Sequence, residues 1–440
     1  MSTRRLAPGT APVEATAVVD PDYPLYPIPP AARRSLASLA VVLVGFTFFT
    51  PTMLVGAQVG AAFRLDDFLG VMLLGSVILG LYVAALAFVG ARTRLTTVML
   101  CRYSLGDHGS KLASLLLGLT QVGWYGVGVA ALGNLIAQAL GWGSGGAQVL
   151  MVLGAAVMGV TAYFGMRGLF WLSATSVPLM SVLAIWVVFR SLEEVGGWAG
   201  LAAIEPTQQM SVTVALTVIV GTFVSGGTQV ANWTRFARSG KQAFSSALVA
   251  FLVGNGLMLF FGAIGAIAFG QADFVLVLYQ LGLIVWGVLL LVGNIWTTND
   301  NTAYAFSVAG AELTNLPSKR PFVVGGVALG GLLAVTGIYD GLIGYLVWLS
   351  ILIPPLGGVL VGDWARRWRH GMPDRQHYDF VRFEWRVLLA YALGVLAAWG
   401  SDQIAVGIPP VNGIVVAFVA ALVLSPAGRP VPAAVTGTGR

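Results

Sequence analysis

Long apolar runs, each ended by charge or by Gly and Pro, leave this chain few architectures to adopt. About 20 consecutive apolar residues span a bilayer as a helix. Twelve such runs follow one another, at 37–62, 67–90, 111–140, 147–166, 170–191, 211–233, 243–269, 280–308, 321–337, 341–362, 386–400 and 408–425. A bilayer core offers no water to unpaired backbone groups, so open runs of this kind fold as helices. The expectation is an all-α integral membrane protein with twelve transmembrane helices. Composition agrees: charged residues make up 10% of the chain, against roughly a quarter in soluble domains. Such a chain cannot cover a water-facing surface. Its 57 Gly and 13 Trp suit close helix packing and membrane interfaces. Cys101, the single cysteine, excludes an intramolecular disulfide and a cysteine-rich metal cluster.

The net charge of +6 invites a nucleic-acid reading, which the placement of the charges removes. Cytoplasmic loops hold the Lys/Arg excess of a membrane protein. With an even number of spans both tails share one side. That side collects Arg33 and Arg34, Arg92, Arg94, Arg102 and Lys111, Arg167, Arg235, Arg238 and Lys241, Lys319 and Arg320, and the cluster from Arg366 to Arg386. With Arg4, Arg5, Arg429 and Arg440 from the tails, 22 of the 24 basic residues lie there, and only Arg64 and Arg190 fall outside. Both termini are therefore expected in the cytoplasm, and no nucleic-acid partner is expected. Residues 1–34 form a Pro/Ala-rich tail without an apolar run, so no signal peptide is expected. The chain divides into this tail, a first five-helix unit at 35–191, a second at 192–362, a loop with helices 11 and 12 at 363–426, and a C-terminal tail at 427–440.

Matching interruptions in two halves of a transporter point to its site. Helix 1 carries Gly45-Phe46-Thr47-Phe48-Phe49-Thr50-Pro51-Thr52, where Pro51 lacks an N–H and frees carbonyls near positions 47 and 48. Helix 6, five spans later, carries Gly221-Thr222-Phe223-Val224-Ser225-Gly226-Gly227-Thr228. Either interruption alone is more often a kink or a packing point. Both at equivalent places favour a binding site between inverted repeats.

Two further helices supply side chains. On helix 3, Gln121 and Trp124 are three apart and share a face, with Gly128 continuing it and leaving room for a ligand. The plainer alternative is that Gln121 bonds another helix and Trp124 fills the core. On helix 8, Asn294, Thr297, Thr298 and Asn301 form one stripe at helical period. Threonine hydroxyls usually bond back to their own helix. Four oxygen-bearing side chains on one stripe suggest a hard-cation site, and sodium fits it better than a metal that demands carboxylates or imidazoles.

Those stretches, Gly45–Met53, Thr120–Ala130, Gly221–Phe236 and Asn294–Tyr304, resemble the nucleobase–cation symporter-1 family in order and spacing. The resemblance covers roughly residues 25–425. It implies the leucine-transporter fold, with helices 1–5 and 6–10 as inverted repeats and helices 11 and 12 peripheral. It also implies sodium-coupled import of cytosine across a bacterial inner membrane by a monomer. By position, Trp124 and Phe223 would sandwich the flat base, a contact worth about 1–3 kcal/mol per base on nucleic-acid precedent. Gln121 and Asn294 would bond its edge, and Ser225 with the unwound backbone near Thr222 would complete the polar contacts. Sodium would take carbonyls of Gly45, Phe48 (or Phe49) and Asn294 and the hydroxyls of Thr297 and Thr298. The chain departs from the family at Ala231-Asn232-Trp233-Thr234, a bulkier run, and in its longer N-terminal tail.

The remaining titratable groups argue against an intramembrane enzyme. His108, His370 and His377 all fall in loops, and Asp300 is the only carboxylate well inside a span. No acid–base pair can form there. A channel fits poorly, because no charged ring or filter-like repeat appears. Asp300 itself is either a proton-coupling group or a structural acceptor satisfied by neighbouring Asn and Thr side chains, and the second role is favoured. Amide side chains present donor or acceptor equally well, so the residues alone leave cytosine, uracil, hydroxymethylpyrimidine, allantoin and hydantoins open, with proton or sodium coupling.

Overall fold

The computed structural model describes residues 23–426 apart from 165, 272, 273, 376 and 377, with the side chains of 166–173, 175, 176 and 343 left aside. Arg4, Arg5, Arg429, Arg440 and His377, along with most of the N-terminal tail and residues 427–440, lie outside the described residues. The Arg167 side chain does too.

Helices fall on all twelve expected runs. The first run is split into α1 (Leu36–Thr47) and α2 (Thr50–Gly60), bent by 57° at the break. The second is α3 (Leu65–Thr93), followed by a short buried helix, α4 (Thr97–Leu105), in what the sequence placed as a loop. Next come α5 (Gly109–Leu140), α6 (Ser144–Tyr163), α7 (Met166–Val195) and the connector α8 (Gly197–Ala202). The sixth run breaks into α9 (Val212–Gly221), α10 (Val224–Thr228) and α11 (Ala231–Thr234). A π-helical turn at Ala250–Gly254 joins α12 (Gly240–Val249) to α13 (Asn255–Phe269). The chain continues through α14 (Phe274–Gln280), α15 (Ile284–Thr314), α16 (Arg320–Val335) and α17 (Leu342–Asp363). It closes with α18 (Trp385–Gln403) and α19 (Pro409–Leu424). Among the described residues five continuous helical stretches, one of them α12 with α13, are long and apolar enough to cross a membrane, and the bent α1–α2 pair makes a sixth.

Local chemistry sets the ends. Ser35, Thr96, Ser211 and Ser239 each cap a helix by accepting a backbone N–H with the side-chain oxygen. Asp66 and Asp67 sit in the first turn of α3 and Arg92 in its last, matching the helix dipole. Pro51 lies in the first turn of α2, where its missing N–H costs nothing, so it starts the second half-helix instead of kinking a continuous one. The backbones of α2 and α13 pack closely: a Cβ on Gly56 would lie 2.1 Å from the Leu259 carbonyl oxygen, and one on Gly262 would lie 1.9 Å from that of Met53. Small residues let the two backbones touch. Outside, Leu73, Leu112, Leu153, Phe189, Val324 and Val423 are exposed, as a lipid-facing surface requires.

The expected basic loops gather at one end of the bundle. Arg33, Arg92, Arg94, Arg238 and Arg369, from four separate connections, line a single cavity there. Arg64 and Arg190, the two exceptions, pair instead with Glu205 and Glu193. The segment from Tyr23 to Arg34 is docked against the basic end. Leu25 and Ile28 are buried, Arg235 donates to the Tyr23 carbonyl at 2.7 Å, and the Thr96 hydroxyl donates to that of Pro24 at 3.2 Å.

Candidate functional site

The break in the first run is two residues of extended backbone, Phe48 (φ −78°, ψ 91°) and Phe49 (φ −138°, ψ 121°). It leaves main-chain groups without helical partners, and α15 supplies them. The Thr298 hydroxyl stands 3.1 Å from the Phe46 carbonyl oxygen and 3.2 Å from that of Phe48. One hydroxyl has one hydrogen, so two carbonyl oxygens compete for it and the cluster keeps spare electronegative capacity. Oxygen-only ligands of this kind suit a hard cation. The other end of the break is tied by Asn294, whose Oδ1 accepts from the Thr50 amide at 2.5 Å and the Thr50 hydroxyl at 2.9 Å. Asn294 thereby caps α2 from a distant helix.

The stripe on α15 divides by role. Asn294 and Thr298 reach across to the break. Thr297 donates to the Asn294 carbonyl at 2.8 Å, and Asn301 donates to that of Thr297 at 2.8 Å. The structure thus brings Phe48, Asn294, Thr297 and Thr298 into one region. Phe46, not among the expected sodium ligands, supplies the carbonyl paired with that of Phe48 at the Thr298 hydroxyl; no hydrogen bond ties Gly45 to that hydroxyl among the described residues.

The second break, at Thr222–Phe223, faces α5. Ser225 accepts from Gln121 Nε2 at 3.2 Å and from Trp124 Nε1 at 3.0 Å. Gln121 and Ser225 are fully buried, and Gln121 Oε1 has no hydrogen-bond partner among the described residues. Thr222 donates to the Ile219 carbonyl at 2.6 Å and stands 3.2 Å from Asn255 Oδ1. Trp124 and Phe223 do not stack on one another. Phe49 stands between them, edge-on to Trp124 (centroids 5.6 Å apart, 72°) and to Phe223 (6.1 Å, 74°). Phe46 closes the group against Phe223 at 5.2 Å.

A void of about 10 Å³ remains among Phe46, Phe49, Gln121, Trp124, Phe223 and Thr298. That is room for about one water. A ring heterocycle needs more room than this void offers, and Phe49 fills the space between Trp124 and Phe223. Both breaks border this one void, since Thr298 and Thr222 also line it. A larger groove of about 730 Å³ between α6 and α16 is walled by residues such as Val152, Val324 and Leu332 and lacks the polar groups a heterocycle needs.

Three features escaped the sequence. Phe46 and Phe49 sit one turn apart in the quoted motif, yet helical period does not tell which ring lies between two distant aromatics. Thr302 follows Thr298 by one turn, a spacing that places it on the same stripe. The space expected beside Gly128 is filled: a Cβ there would lie 2.4 Å from Asn299 Oδ1. Asp300 is fully buried, and among the described residues neither carboxylate oxygen has a hydrogen-bond partner. Its expected amide partners bond elsewhere, Asn299 to the Tyr125 carbonyl and Asn301 to that of Thr297, while Thr161 and Lys319 are its electrostatic neighbours.

A family model described as permease for cytosine/purines, uracil, thiamine, allantoin matches residues 27–424. The chain belongs to this permease family. Cytosine permeases from Escherichia coli K12 and from Escherichia coli O157:H7 are each 38% identical to it over 410 residues, 92% of this chain and 95% of theirs. Among solved structures, the nucleobase-cation-symport-1 transporter Mhp1, closed with bromovinylhydantoin bound, superposes with a TM-score of 0.78 at 15% identity, covering 91% of this chain and 94% of that one. A Na+-coupled sialic acid symporter in an outward-open form does so at 0.61 and 12% identity, covering 92% and 91%. The permease has the leucine-transporter fold. It is a multi-pass membrane transporter of the nucleobase family and not an enzyme.

Proposed function

We propose that the permease imports cytosine by sodium symport with alternating access. Trp124 and Phe223 take the two faces of the base once Phe49 has moved aside. Gln121, Ser225 and Asn294 bond its edge, with the backbone at Thr222. Sodium is held by the hydroxyls of Thr298 and Thr297 and by carbonyls of the first break, those of Gly45 and Phe48 and that of Asn294, with Phe46 added by the geometry. The protein works as a monomer in the inner membrane, with both termini cytoplasmic, and the end that gathers Arg33, Arg92, Arg238 and Arg369 is the cytoplasmic one.

The observation that carries this reading is the shared border of the two breaks. Asn294 reaches the first break, Gln121 and Ser225 frame the second, and Phe49 belongs to both. Cation binding that orders Phe46–Thr50 would thereby set the position of Phe49 and open or close the base pocket. A neutral pocket of aromatic, amide and hydroxyl groups suits a neutral flat base. The name of the E. coli relatives supports cytosine, and the sodium coupling of the sialic acid symporter supports the ion. An inward potential adds roughly 2.3 kcal/mol per charge per 100 mV, enough for more than tenfold accumulation at one ion per base.

A thermal-shift panel of cytosine, uracil, hydroxymethylpyrimidine, allantoin and hydantoin, with sodium or choline as the cation, tests both parts. Ligands that bind the folded form raise its melting temperature by mass action. Cytosine should give the largest shift, and only with sodium. An equal shift in choline removes the sodium assignment, and a larger shift with another heterocycle removes cytosine.

A further inference from the structure

At the basic end, a cavity of about 530 Å³ is lined by Arg33, Arg92, Arg94, Arg238, Arg369 and His370. No carboxylate among the described residues lines it. Among the described residues none of the five arginines is in an ion pair, and the one side-chain hydrogen bond among them joins Arg369 Nε to His370 Nε2 at 2.9 Å. Sidedness explains why arginines lie at this end of a membrane protein. It does not explain why arginines from the N-terminal segment and from three other connections converge on one hollow. Like charges repel, and a polyoxygen anion is the group that guanidinium forks bind in pairs.

The cavity has an apolar continuation. Trp364 lines it and also lines a neighbouring groove of about 510 Å³ walled by Phe88, Val89, Phe244 and Val361, with Lys241 at its rim. Two helices contribute to both hollows: α3 gives Phe88 and Val89 to the groove and Arg92 to the cavity, and α12 gives Gly240 to the cavity and Lys241 to the groove. Phe88 packs edge-on against Trp364 at 5.9 Å, at the seam between them. A charged hollow that runs into an apolar one matches a molecule with an anionic head and a hydrocarbon tail.

We propose that the permease binds an anionic phospholipid here, with its phosphate headgroup among the arginines and one acyl chain in the groove beside Trp364. Basic pockets between helices at the cytoplasmic face are the form such sites take. The ligand reaches the site from the leaflet at that end. Because the headgroup bridges the N-terminal segment through Arg33 and the connection between α11 and α12 through Arg238, it fastens the docked segment to the chain that leaves the broken sixth run.

The test titrates the purified full-length permease with phosphatidylglycerol, with phosphatidylcholine of identical chains, and with inorganic phosphate, read by melting temperature and by native mass spectrometry of retained lipid. Phosphatidylglycerol should be retained and raise the melting temperature; phosphatidylcholine and phosphate should do neither. The double variant Arg92→Gln/Arg238→Gln should bind phosphatidylglycerol on the order of tenfold more weakly, and Arg382→Gln/Arg386→Gln, outside the cavity, should bind it as the parent does. Equal effects of the two lipids overturn the proposal, as does a full shift from phosphate alone, which marks a soluble-anion site. Equal weakening in both variants overturns it too. The comparison of lipids on the parent protein stands even if a variant fails to fold.

Discussion

The two broken helices use the same backbone device for different ends. Between α1 and α2 the chain is extended for two residues and its freed groups are met by oxygen atoms from α15, at Thr298 and Asn294. Between α9 and α10 the break is glycine-rich and its neighbours are aromatic, with polar contacts concentrated on Ser225. The first break therefore offers an environment for a small hard ion and the second an environment for a flat ring. Phe46 and Phe49 belong to both. The difference shows that a helix break is a generic opening, and the helix packed against it decides what it admits.

Substitutions on each side separate the two environments. Trp124→Ala removes one stacking face and should weaken cytosine binding by about a hundredfold, while the stabilisation by sodium alone persists in thermal-shift titrations. Thr298→Val keeps the shape and loses the hydroxyl, so sodium activation of uptake should require about tenfold more sodium, with base affinity at saturating sodium unchanged. If Trp124→Ala removed the sodium response as well, the two regions would not be separable. Asn294→Ala removes the cap on α2 and should weaken both ligands by about fivefold, the value of a lost helix cap; a change confined to one ligand would place Asn294 in one region only. Asp300→Asn should leave sodium-dependent uptake within about twofold of the parent, because the amide is nearly the same size and, among the described residues, no hydrogen bond to the carboxylate is lost with its charge. Complete loss of uptake in a folded, membrane-inserted variant would make Asp300 part of the coupling.

The contrast also marks how far the sequence could be followed. Apolar length found the twelve runs that carry the long helices, and Pro51 marked the first break, because these are local properties of the chain; the second break falls at Thr222–Phe223, ahead of the Gly226-Gly227 pair, which lies within α10. Helical period placed Gln121 with Trp124 and Asn294 with Thr298. What the sequence did not carry was which side chain fills a space made by several helices. Phe49 between Trp124 and Phe223, Asn299 against Gly128, and the docking of Leu25 and Ile28 all depend on contacts between residues tens to hundreds of positions apart. Nor did it show α4, whose nine residues are too short to read as a span and too buried to be a solvated loop.

Coupling between the two breaks is the centre of this account, and flux measures it most directly. Cytosine uptake into proteoliposomes should be driven by an inward sodium gradient, rise further with an inside-negative potential, and vanish when choline replaces sodium at constant pH. Uptake that ignores sodium and follows an imposed proton gradient alone would contradict it.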